Sequence, residues 1–303
     1  MRKVLLAAFA VLLSLPSLAI AQERMTLGFG RMFSNDGIGD TNDRWRTGSY
    51  AVSMVRGPQW QGVLPASFGE VIEYRGRMEI IAPSNLTNPS PADRRYVGTL
   101  SFGAHTYFRA LSGEARVGLD LVATGSQTGV GKLQSALHGL FGIAKPGNLD
   151  NQIGNAVYPT VSVEFGKTYF FGASGQVRPF AEAQAGVESY VRVGGDITFG
   201  NFGKGSLMLR DQVTGQRYYG VLGTPERGTS MTVGGDFAKV FDSAYLPKGG
   251  AVVMSDTRSR LRAGLRWRGE KSEVFYGVTR LGREFESQPS GQVVGSLRFK
   301  LRF

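Results

Sequence analysis

The chain has 303 residues, 43 glycines, no cysteine and a formal net charge of +11. The absence of cysteine excludes disulfides and thiolate metal sites. Many of the glycines lie within strand-like runs, which disfavours a soluble α/β enzyme and fits tight turns and close strand contacts.

The first 21 residues have the pattern of a secretory signal peptide. A basic dipeptide precedes a short apolar run, and Ala19-Ile20-Ala21 has the small-x-small form of a cleavage site. The run is too short for a membrane-spanning helix, and no later stretch reaches the ~20 apolar residues that one needs. We therefore expect residues 1–21 to be removed on export and residues 22–303 to form a single domain.

The positive net charge indicates an anionic partner, and for an exported chain that partner must lie outside the cytoplasm. A basic balance often indicates nucleic acid, but an exported protein does not meet nucleic acid routinely, so we expect no such partner. Lipopolysaccharide, with its phosphates and carboxylates, is the expected anionic partner. The alternative is that inward-facing arginines simply line a water-filled barrel.

Alternating apolar and polar residues predict an all-β protein, a transmembrane antiparallel β-barrel of about twelve strands. The predicted strands are 25–34, 46–56, 69–82, 95–109, 114–124, 156–169, 176–188, 190–201, 229–242, 258–268, 272–284 and 291–303. An even count is expected when both termini lie in the periplasm. The intervening stretch 202–228 would then be a long periplasmic excursion.

Two segments show the alternation most clearly. In 260–268, four arginines are interleaved with apolar residues that would face lipid. The stretch 297–303 alternates apolar with cationic residues and ends on Phe303. An apolar edge strand of this kind invites aggregation in water, whereas lipid solvates it in a closed barrel.

The segment 125–155 breaks the strand pattern. Leu133, Leu137, Leu140 and Phe141 recur at helical spacing and are followed by a Lys-Pro-Gly breaker. This spacing predicts a short helix of about four turns in an extracellular loop, over the outer end of the barrel.

The predicted helix carries one of only two histidines in the chain. Gln134 and His138 are four residues apart and share a helix face, and imidazole is the usual general base near neutral pH. The alternative is a polar helix residue that contacts solvent or the barrel rim. His105 lies within a strand, on the alternation that points inward, and is predicted to be a wall residue.

Two further polar clusters would lie at the same end of the barrel. The stretch 34–44 is rich in Asn, Asp and Gly, a hard-oxygen environment that calcium prefers; the alternative is a conformational turn. In the second cluster, Asp93 precedes Arg94 and Arg95, which would contact a substrate phosphate or brace a loop. Serine-hydrolase elbow, nucleotide-loop and zinc-protease motifs are absent from the sequence.

Together these clusters resemble the outer-membrane lipid A 3′-O-deacylase family. The similar segments are Asn35-Asp36, Thr41-Asn42-Asp43-Arg44 with Thr47-Gly48, Asp93-Arg94-x-Tyr96-x-Gly98, Gln134-x-x-x-His138-x-x-x-Gly142, Asp150-Asn151-Gln152-Ile153, Arg283-Glu284-Phe285-Glu286 and Gly291-Gln292-Val293-Val294-Gly295-Ser296. They span nearly the whole chain after the signal peptide, and their order and spacing carry the resemblance.

The resemblance implies a twelve-stranded barrel in the outer membrane of a Gram-negative bacterium, with a site at the outer-leaflet rim. It implies calcium-dependent hydrolysis of the ester that holds the 3′-O-linked acyloxyacyl chain of lipid A. His138 would activate water and Gln134 would place substrate or water. Asn35 and Asp36 would supply the Ca²⁺ site, with Thr47 close to it. The Ca²⁺ would stabilise the oxyanion.

The sequence departs from the family pattern in the residues that would bind a substrate phosphate. Family members can carry lysine in the second extracellular loop, whereas Pro83–Pro91 has no cation here. Arg94, Arg95 or Lys145 would take that role. The expected partners are lipid A, or lipopolysaccharide, and outer membrane lipids, and we expect a monomer.

Two other functions remain open at this point. The first is a non-enzymatic channel or lipopolysaccharide-binding barrel, for which the rim clusters would not be required. The second is an outer-membrane phospholipase, which needs a serine nucleophile beside a strand-borne histidine. His105 with Ser101 or Ser53 would be a poor version of that arrangement.

Overall fold

The computed structural model describes residues 24–147, 149–223 and 227–301. The predicted signal peptide and the last two residues of the chain, including Phe303, lie outside the described residues. In chain order the elements are β1 (Met25–Asn35), β2 (Trp45–Gly57), β3 (Val71–Ala82), β4 (Val97–Ala110), β5 (Gly113–Thr124), α1 (Val130–Phe141), β6 (Ala156–Gly166), β7 (Tyr169–Phe171), β8 (Gly175–Ala185), β9 (Glu188–Phe199), β10 (Leu207–Arg210), β11 (Arg217–Val221), β12 (Gly228–Ser243), β13 (Thr257–Arg268), β14 (Ser272–Leu281) and β15 (Gln292–Leu301).

Twelve of these strands form a closed antiparallel barrel, as the sequence predicted. Each long strand pairs with its neighbour in chain order, except that β9 pairs directly with β12. The ring closes where β6 pairs with β8, and β1 joins β15 over a short register from Phe33 to Asn35. The short β7 adds only a hairpin onto β8.

The two faces of the wall separate apolar from charged side chains. On β13, Leu261 is 63% exposed and Leu265 is 53% exposed, whereas Arg262 and Arg266 are buried. The buried arginines form ion pairs along the inner face of the wall; Arg262, for example, lies 2.6 Å from Asp196, two strands away on β9. This arrangement confirms the predicted alternation, since lipid solvates the outer face and paired charges fill the inner face. Within the described part of the chain, no helix has the length and apolar character needed to cross a membrane.

The stretch between β9 and β12 departs from the sequence-based expectation. It was predicted as a periplasmic excursion over 202–228, but its hairpin β10–β11 folds back into the lumen. Leu209 and Tyr218 are buried there, and Gln216 donates to the carbonyl oxygens of Ala263 and Val278 on the barrel wall, at 3.0 and 3.2 Å. Burial of these side chains and satisfaction of the hairpin's polar groups explain the inward fold.

The hairpin fills the barrel lumen. On β1, a Cβ at Gly28 would collide with the carbonyl oxygen of Gly220, so glycine is required for this close approach. Arg210 of the hairpin lies 3.0 Å from Asp196 and 3.1 Å from Glu164 on the wall. Cavities of about 60 and 50 Å³ lie along the described lumen, and a wider recess of about 550 Å³ lies at its periplasmic end, beside Gln176 and Arg217. The barrel is therefore plugged by its own chain.

The helix α1 is shorter than predicted, about three turns rather than four. It ends at Gly142, which adopts the left-handed conformation with φ 68°, and Ile143 donates its N–H to the carbonyl oxygen of His138 at 2.8 Å. This left-handed ending stops the helix before the Lys-Pro-Gly breaker. Its first turn packs on the outer side of the wall, because a Cβ at outward-facing Gly98 would contact Val130.

Candidate active site on the outer rim

The candidate site lies where the loop from β1 to β2 meets α1. Asn35 ends β1 and caps a short 3₁₀ turn, Asp36–Ile38, by accepting the N–H of Gly37 at 2.7 Å. This cap turns the chain sharply at the rim and leaves Asp36 buried behind the turn. The predicted oxygen-rich cluster is thus a compact structure rather than an open loop.

A continuous series of polar contacts joins this turn to the helix. The Thr47 hydroxyl lies 2.9 Å from Oδ1 of Asp36 and 2.5 Å from Oδ1 of Asp43. The other oxygen of Asp43, Oδ2, lies 3.3 Å from Nε2 of His138. The structure therefore brings together Asp36, Thr47 and His138, which the sequence analysis singled out, with Asp43 as the connecting residue.

The ring of His138 is held in one orientation. Its Nδ1 lies 2.7 Å from the carbonyl oxygen of Ala144. A carbonyl oxygen can only accept a hydrogen bond, so Nδ1 carries the proton. The neutral ring then has its lone pair on Nε2, the nitrogen that faces Asp43. This tautomer leaves Nε2 as the basic nitrogen, and once Nε2 has taken a proton the Asp43 carboxylate beside it can accept a hydrogen bond from the ring.

Asp36 is the most perturbed group of the cluster. Burial raises its pKa to about 8, and the nearby carboxylates of Asp43 and Asp40 act in the same direction. Hydrogen bonds from the backbone N–H of Arg44, at 2.9 Å, and from Thr47 lower the pKa but do not offset burial. The Asp36 side chain thus favours a proton or another positive charge beside it.

The cluster has fewer hydrogen-bond donors than hydrogen-bond acceptors. The single proton of the Thr47 hydroxyl can be donated to Asp36 or to Asp43, but not to both. Within the described residues no group of three or more His, Cys, Asp or Glu side chains is arranged to hold a metal. Calcium, however, also accepts hydroxyl, amide and carbonyl oxygens and water. The oxygen atoms of the two carboxylates and of the hydroxyl that they share are therefore suitable ligands for a hard divalent cation.

The other two rim residues that the sequence indicated lie on either side of this cluster. Gln134 is buried against the wall, and its Oε1 accepts the hydroxyl of Tyr96 at 3.0 Å, which leaves its amide N–H groups as donors. Asn35 is on the outward alternation of β1, opposite Gly48 of β2. A Cβ at Gly48 would lie 3.2 Å from Nδ2 of Asn35, so glycine keeps this part of the outer wall open.

The three cations proposed for substrate phosphate differ in accessibility. Arg94 is buried, with Nη1 2.5 Å from Oε2 of Glu284, and this pairing corresponds to the loop-bracing alternative. Its placement does not favour contact with a substrate. Lys145 is exposed next to Ala144, the residue that orients His138, and Arg95 is exposed on the loop before β4. Of the three proposed cations, Lys145 and Arg95 are therefore the accessible ones.

The second histidine is a wall residue, as predicted. His105 is buried, and its Nε2 lies 3.2 Å from Oδ1 of Asp120 while its Nδ1 lies 3.2 Å from Nη1 of Arg116. Ser53 instead bonds to Glu73 at 2.5 Å. In the part of the chain that the structure describes, neither histidine has a serine as hydrogen-bond partner. This geometry disfavours the serine-dependent phospholipase.

Three contributors to the site were not assigned a role from the sequence. Asp43, Tyr96 and Gln292 all lie within segments that carry the family resemblance, and that is the signal that could have found them. Gln292 comes from β15, and its Nε2 lies 3.3 Å from Asp36 and 2.6 Å from the carbonyl oxygen of Arg44. Its role depends on closure of the barrel between β1 and β15, which no local pattern reveals.

The fold and the rim cluster define the class of protein: a plugged β-barrel of the Gram-negative outer membrane with a polar site on the outside of its extracellular rim. The family model of outer membrane protein LpxR matches residues 5–303, so the chain belongs to that family. This membership confirms the resemblance drawn from the sequence.

Comparison with solved structures gives the same fold. LpxR from Salmonella typhimurium superposes with a TM-score of 0.75 at 16% sequence identity, covering 91% of this chain and 100% of that one. Two other barrels are more distant. The KdgM porin has a TM-score of 0.40 and 7% identity, and the β domain of the Bordetella autotransporter BrkA has a TM-score of 0.38 and 11% identity. Each comparison covers 91% of this chain and 99% of the other. A search of curated protein sequences gave no significant match.

Proposed function

We propose that this protein is a calcium-dependent lipid A deacylase that hydrolyses the ester holding the 3′-O-linked acyloxyacyl chain. The observation that carries the proposal is the series of contacts from His138 through Asp43 and Thr47 to Asp36. It couples a base to an acidic oxygen cluster on the outer wall, at the level where outer-leaflet lipids expose their ester groups. Membership of the LpxR family supports the same activity.

In this proposal His138 activates water. Ala144 holds the Nδ1 proton, so Nε2 accepts the proton of a water molecule that approaches the exposed side of the imidazole, next to Asp43. The deprotonated water attacks the ester carbonyl carbon, and the imidazolium then returns the proton to the leaving sugar oxygen. Asp43, 3.3 Å from Nε2, stabilises the imidazolium while it exists.

The remaining rim residues bind and orient. The amide N–H groups of Gln134 are directed by the Tyr96 hydrogen bond and serve as donors to the substrate or to the attacking water. Asp36 and Asp43 would hold Ca²⁺ with Thr47 and Asn35 beside them. Bound there, Ca²⁺ supplies a Lewis acid that polarises the ester carbonyl and stabilises the oxyanion. Lys145 would contact a lipid A phosphate.

The decisive experiment is mass spectrometry of lipid A from a host that lacks the activity. Expression of the wild-type protein should remove the 3′-O-linked chain, and His138→Ala should reduce the rate by about 10²–10⁴-fold, the usual contribution of a general base. The control is Ser135→Ala, since this hydroxyl bonds only within the helix, to the carbonyl oxygen of Gly131. Full activity of the His138→Ala protein would exclude this mechanism.

A chelator tests the cation separately. Activity should disappear when calcium is chelated and return on addition of Ca²⁺, since the cluster presents hard oxygen ligands. Activity that is unchanged by the chelator would remove calcium from the proposal while leaving the hydrolase intact.

The hairpin in the lumen weighs against the passive channel. Buried hairpin side chains and ion pairs occupy the space through which ions would pass. A barrel that binds lipopolysaccharide without hydrolysis would leave lipid A unchanged in the same mass spectra, so that experiment separates the two functions.

A further inference from the structure

The lipid-facing side of β1–β4 carries a groove of about 860 Å³ below the candidate site, and Arg298 and Lys300 of β15 also line it. Phe29, Tyr50, Val52, Tyr74 and Phe102 contribute large exposed side chains to its lining. Lipid contacts the whole outer wall of a barrel, so apolar character alone does not distinguish this region. Its concave shape and its position below the candidate site distinguish it from the rest of the outer wall.

The floor of the groove is Gly76. This residue is on the outward alternation of β3, in register with Val52 of β2 and Phe102 of β4. A Cβ at Gly76 would lie 3.4 Å from Cγ2 of Val52 and 3.5 Å from Cε1 of Phe102, which are ordinary contact distances. The backbone therefore tolerates a side chain at this position, and its absence leaves a gap between larger neighbours.

The groove lies on the same two strands as the candidate site. On β1 and β2, the pair Asn35–Gly48 belongs to the site, and Arg31–Val52 is the pair four residues further down both strands. At about 3.3 Å per residue this second pair lies roughly 13 Å along the wall, inside the hydrocarbon region. A hydrocarbon chain whose ester is bound at the rim would extend down the wall toward the groove.

Arg31 gives the groove one cationic edge. It lies on the lipid-facing alternation of β1 and makes no hydrogen bond or ion pair with another of the described residues. An arginine on the lipid face is destabilising unless an acceptor reaches it. Because a long arginine side chain extends toward the membrane interface, its guanidinium can approach the rim, where an acyloxyacyl chain carries a second ester a few atoms below the first and an unbranched 3-hydroxyacyl chain has only a hydroxyl. The chemistry of the groove thus matches a branched, ester-containing chain.

We propose that this groove binds the hydrocarbon chain attached to the scissile ester, with Gly76 setting the space available and Arg31 contacting the second ester. The inference rests on the proposed deacylase function and specifies how its substrate is selected. Gly76 would then be a specificity-determining residue for chain length, and Arg31 for the acyloxyacyl branch.

The test compares Gly76→Phe with Gly195→Phe. Gly195 is a matched control, because it faces outward on β9, across the ring from β3, and its nearest neighbours would lie 3.7 and 3.8 Å from a Cβ. Purified proteins receive a mixture of lipid A species whose 3′ chains differ in length, and released fatty acids are quantified by mass spectrometry. Heat-modifiable electrophoretic mobility confirms that each barrel is folded.

Gly76→Phe should shift release toward shorter chains by roughly 10-fold or more relative to the wild type, since discrimination of apolar groups in a pocket falls in that range. Gly195→Phe should retain the wild-type preference. Identical chain-length preferences in all three proteins would refute the proposal that the groove binds the chain. Failure of the wild-type protein to release any chain would instead refute the proposed function, so the two failures are distinguishable.

Arg31→Met provides an independent measurement. It should lower release from lipid A with an acyloxyacyl 3′ chain by about 10-fold relative to lipid A with an unbranched 3-hydroxyacyl chain. Arg56→Met is the control, because Arg56 is exposed near the periplasmic end of β2 and donates to the carbonyl oxygen of Arg24 at 2.5 Å. An unchanged ratio of the two substrates in Arg31→Met would overturn the contact with the second ester.

Discussion

Replacing Thr47 by valine tests the hydrogen bonds on which the rim site depends. The hydroxyl lies 2.9 Å from one carboxylate and 2.5 Å from another, and valine removes it with little change in volume. A hydrogen bond to a charged group contributes about 1.5–3 kcal/mol. If the hydroxyl holds Asp36 and Asp43 in their working positions, this energy corresponds to a loss of activity of about 10- to 150-fold.

Serine at the same position keeps the hydroxyl and serves as the matched variant. Initial rates of lipid A deacylation would be measured with saturating Ca²⁺ for the wild-type, Thr47→Ser and Thr47→Val proteins. We expect Thr47→Ser to remain within a few-fold of the wild type and Thr47→Val to fall in the range above. Equal rates for serine and valine would show that the hydroxyl does not organise the site, even if His138 remains essential.

Three further predictions concern the cluster, the helix and the plug. Because burial raises the pKa of Asp36 to about 8, a proton competes with Ca²⁺; calcium affinity measured by titration calorimetry should rise with pH up to about 8, and Asp36→Asn should remove this dependence. The raised pKa of Asp36 also makes the stability of the metal-free fold depend on pH. The stabilising contribution of protonated Asp36 is complete at a pH below the ordinary pKa of aspartate and is lost as the pH rises through about 8, which thermal unfolding should show. Tyr96→Phe removes the donor to Gln134, worth about 1 kcal/mol, and should slow deacylation by roughly 5-fold; an unchanged rate would argue against a role for this bond. Deletion of residues 206–222 should open the lumen and produce ion conductance in planar bilayers, whereas the wild type should remain closed; a conducting wild type would contradict the plug.

The barrel could be predicted from the sequence because its determinants are local. A strand that faces lipid on one side must alternate, and turns between such strands carry recognisable residues, so both count and order followed from the pattern. Strand ends were less well determined: β14 ends at Leu281 although the prediction extended it to 284. The helix was found from its apolar spacing, but its end depended on Gly142 in the left-handed conformation.

The features that escaped prediction depend on contacts between distant segments. The strands of the hairpin β10–β11 are too short to span a membrane and carry no motif. The hairpin folds inward because its apolar side chains are buried in the lumen and because Arg210 and Gln216 find partners on the barrel wall. The same reason explains Arg94, whose burial depends on Glu284, 190 positions further along the chain. The pairing of Asp43 with His138 likewise joins two extracellular loops. Sequence spacing carries no information about such contacts.

The position of Asp36 illustrates how the filled lumen supports chemistry on the opposite side of the wall. Asp36 accepts a hydrogen bond from Gln292, and the Oε1 of Gln292 accepts the backbone N–H of Arg46 at 3.0 Å. The guanidinium of Arg46 is in turn held inside the barrel by three carboxylates, those of Glu79, Glu188 and Glu284. A site exposed to lipid and solvent cannot be made rigid by a surrounding apolar core. Because the wall is a single sheet thick, ion pairs on its inner face can fix the backbone that carries the site on its outer rim.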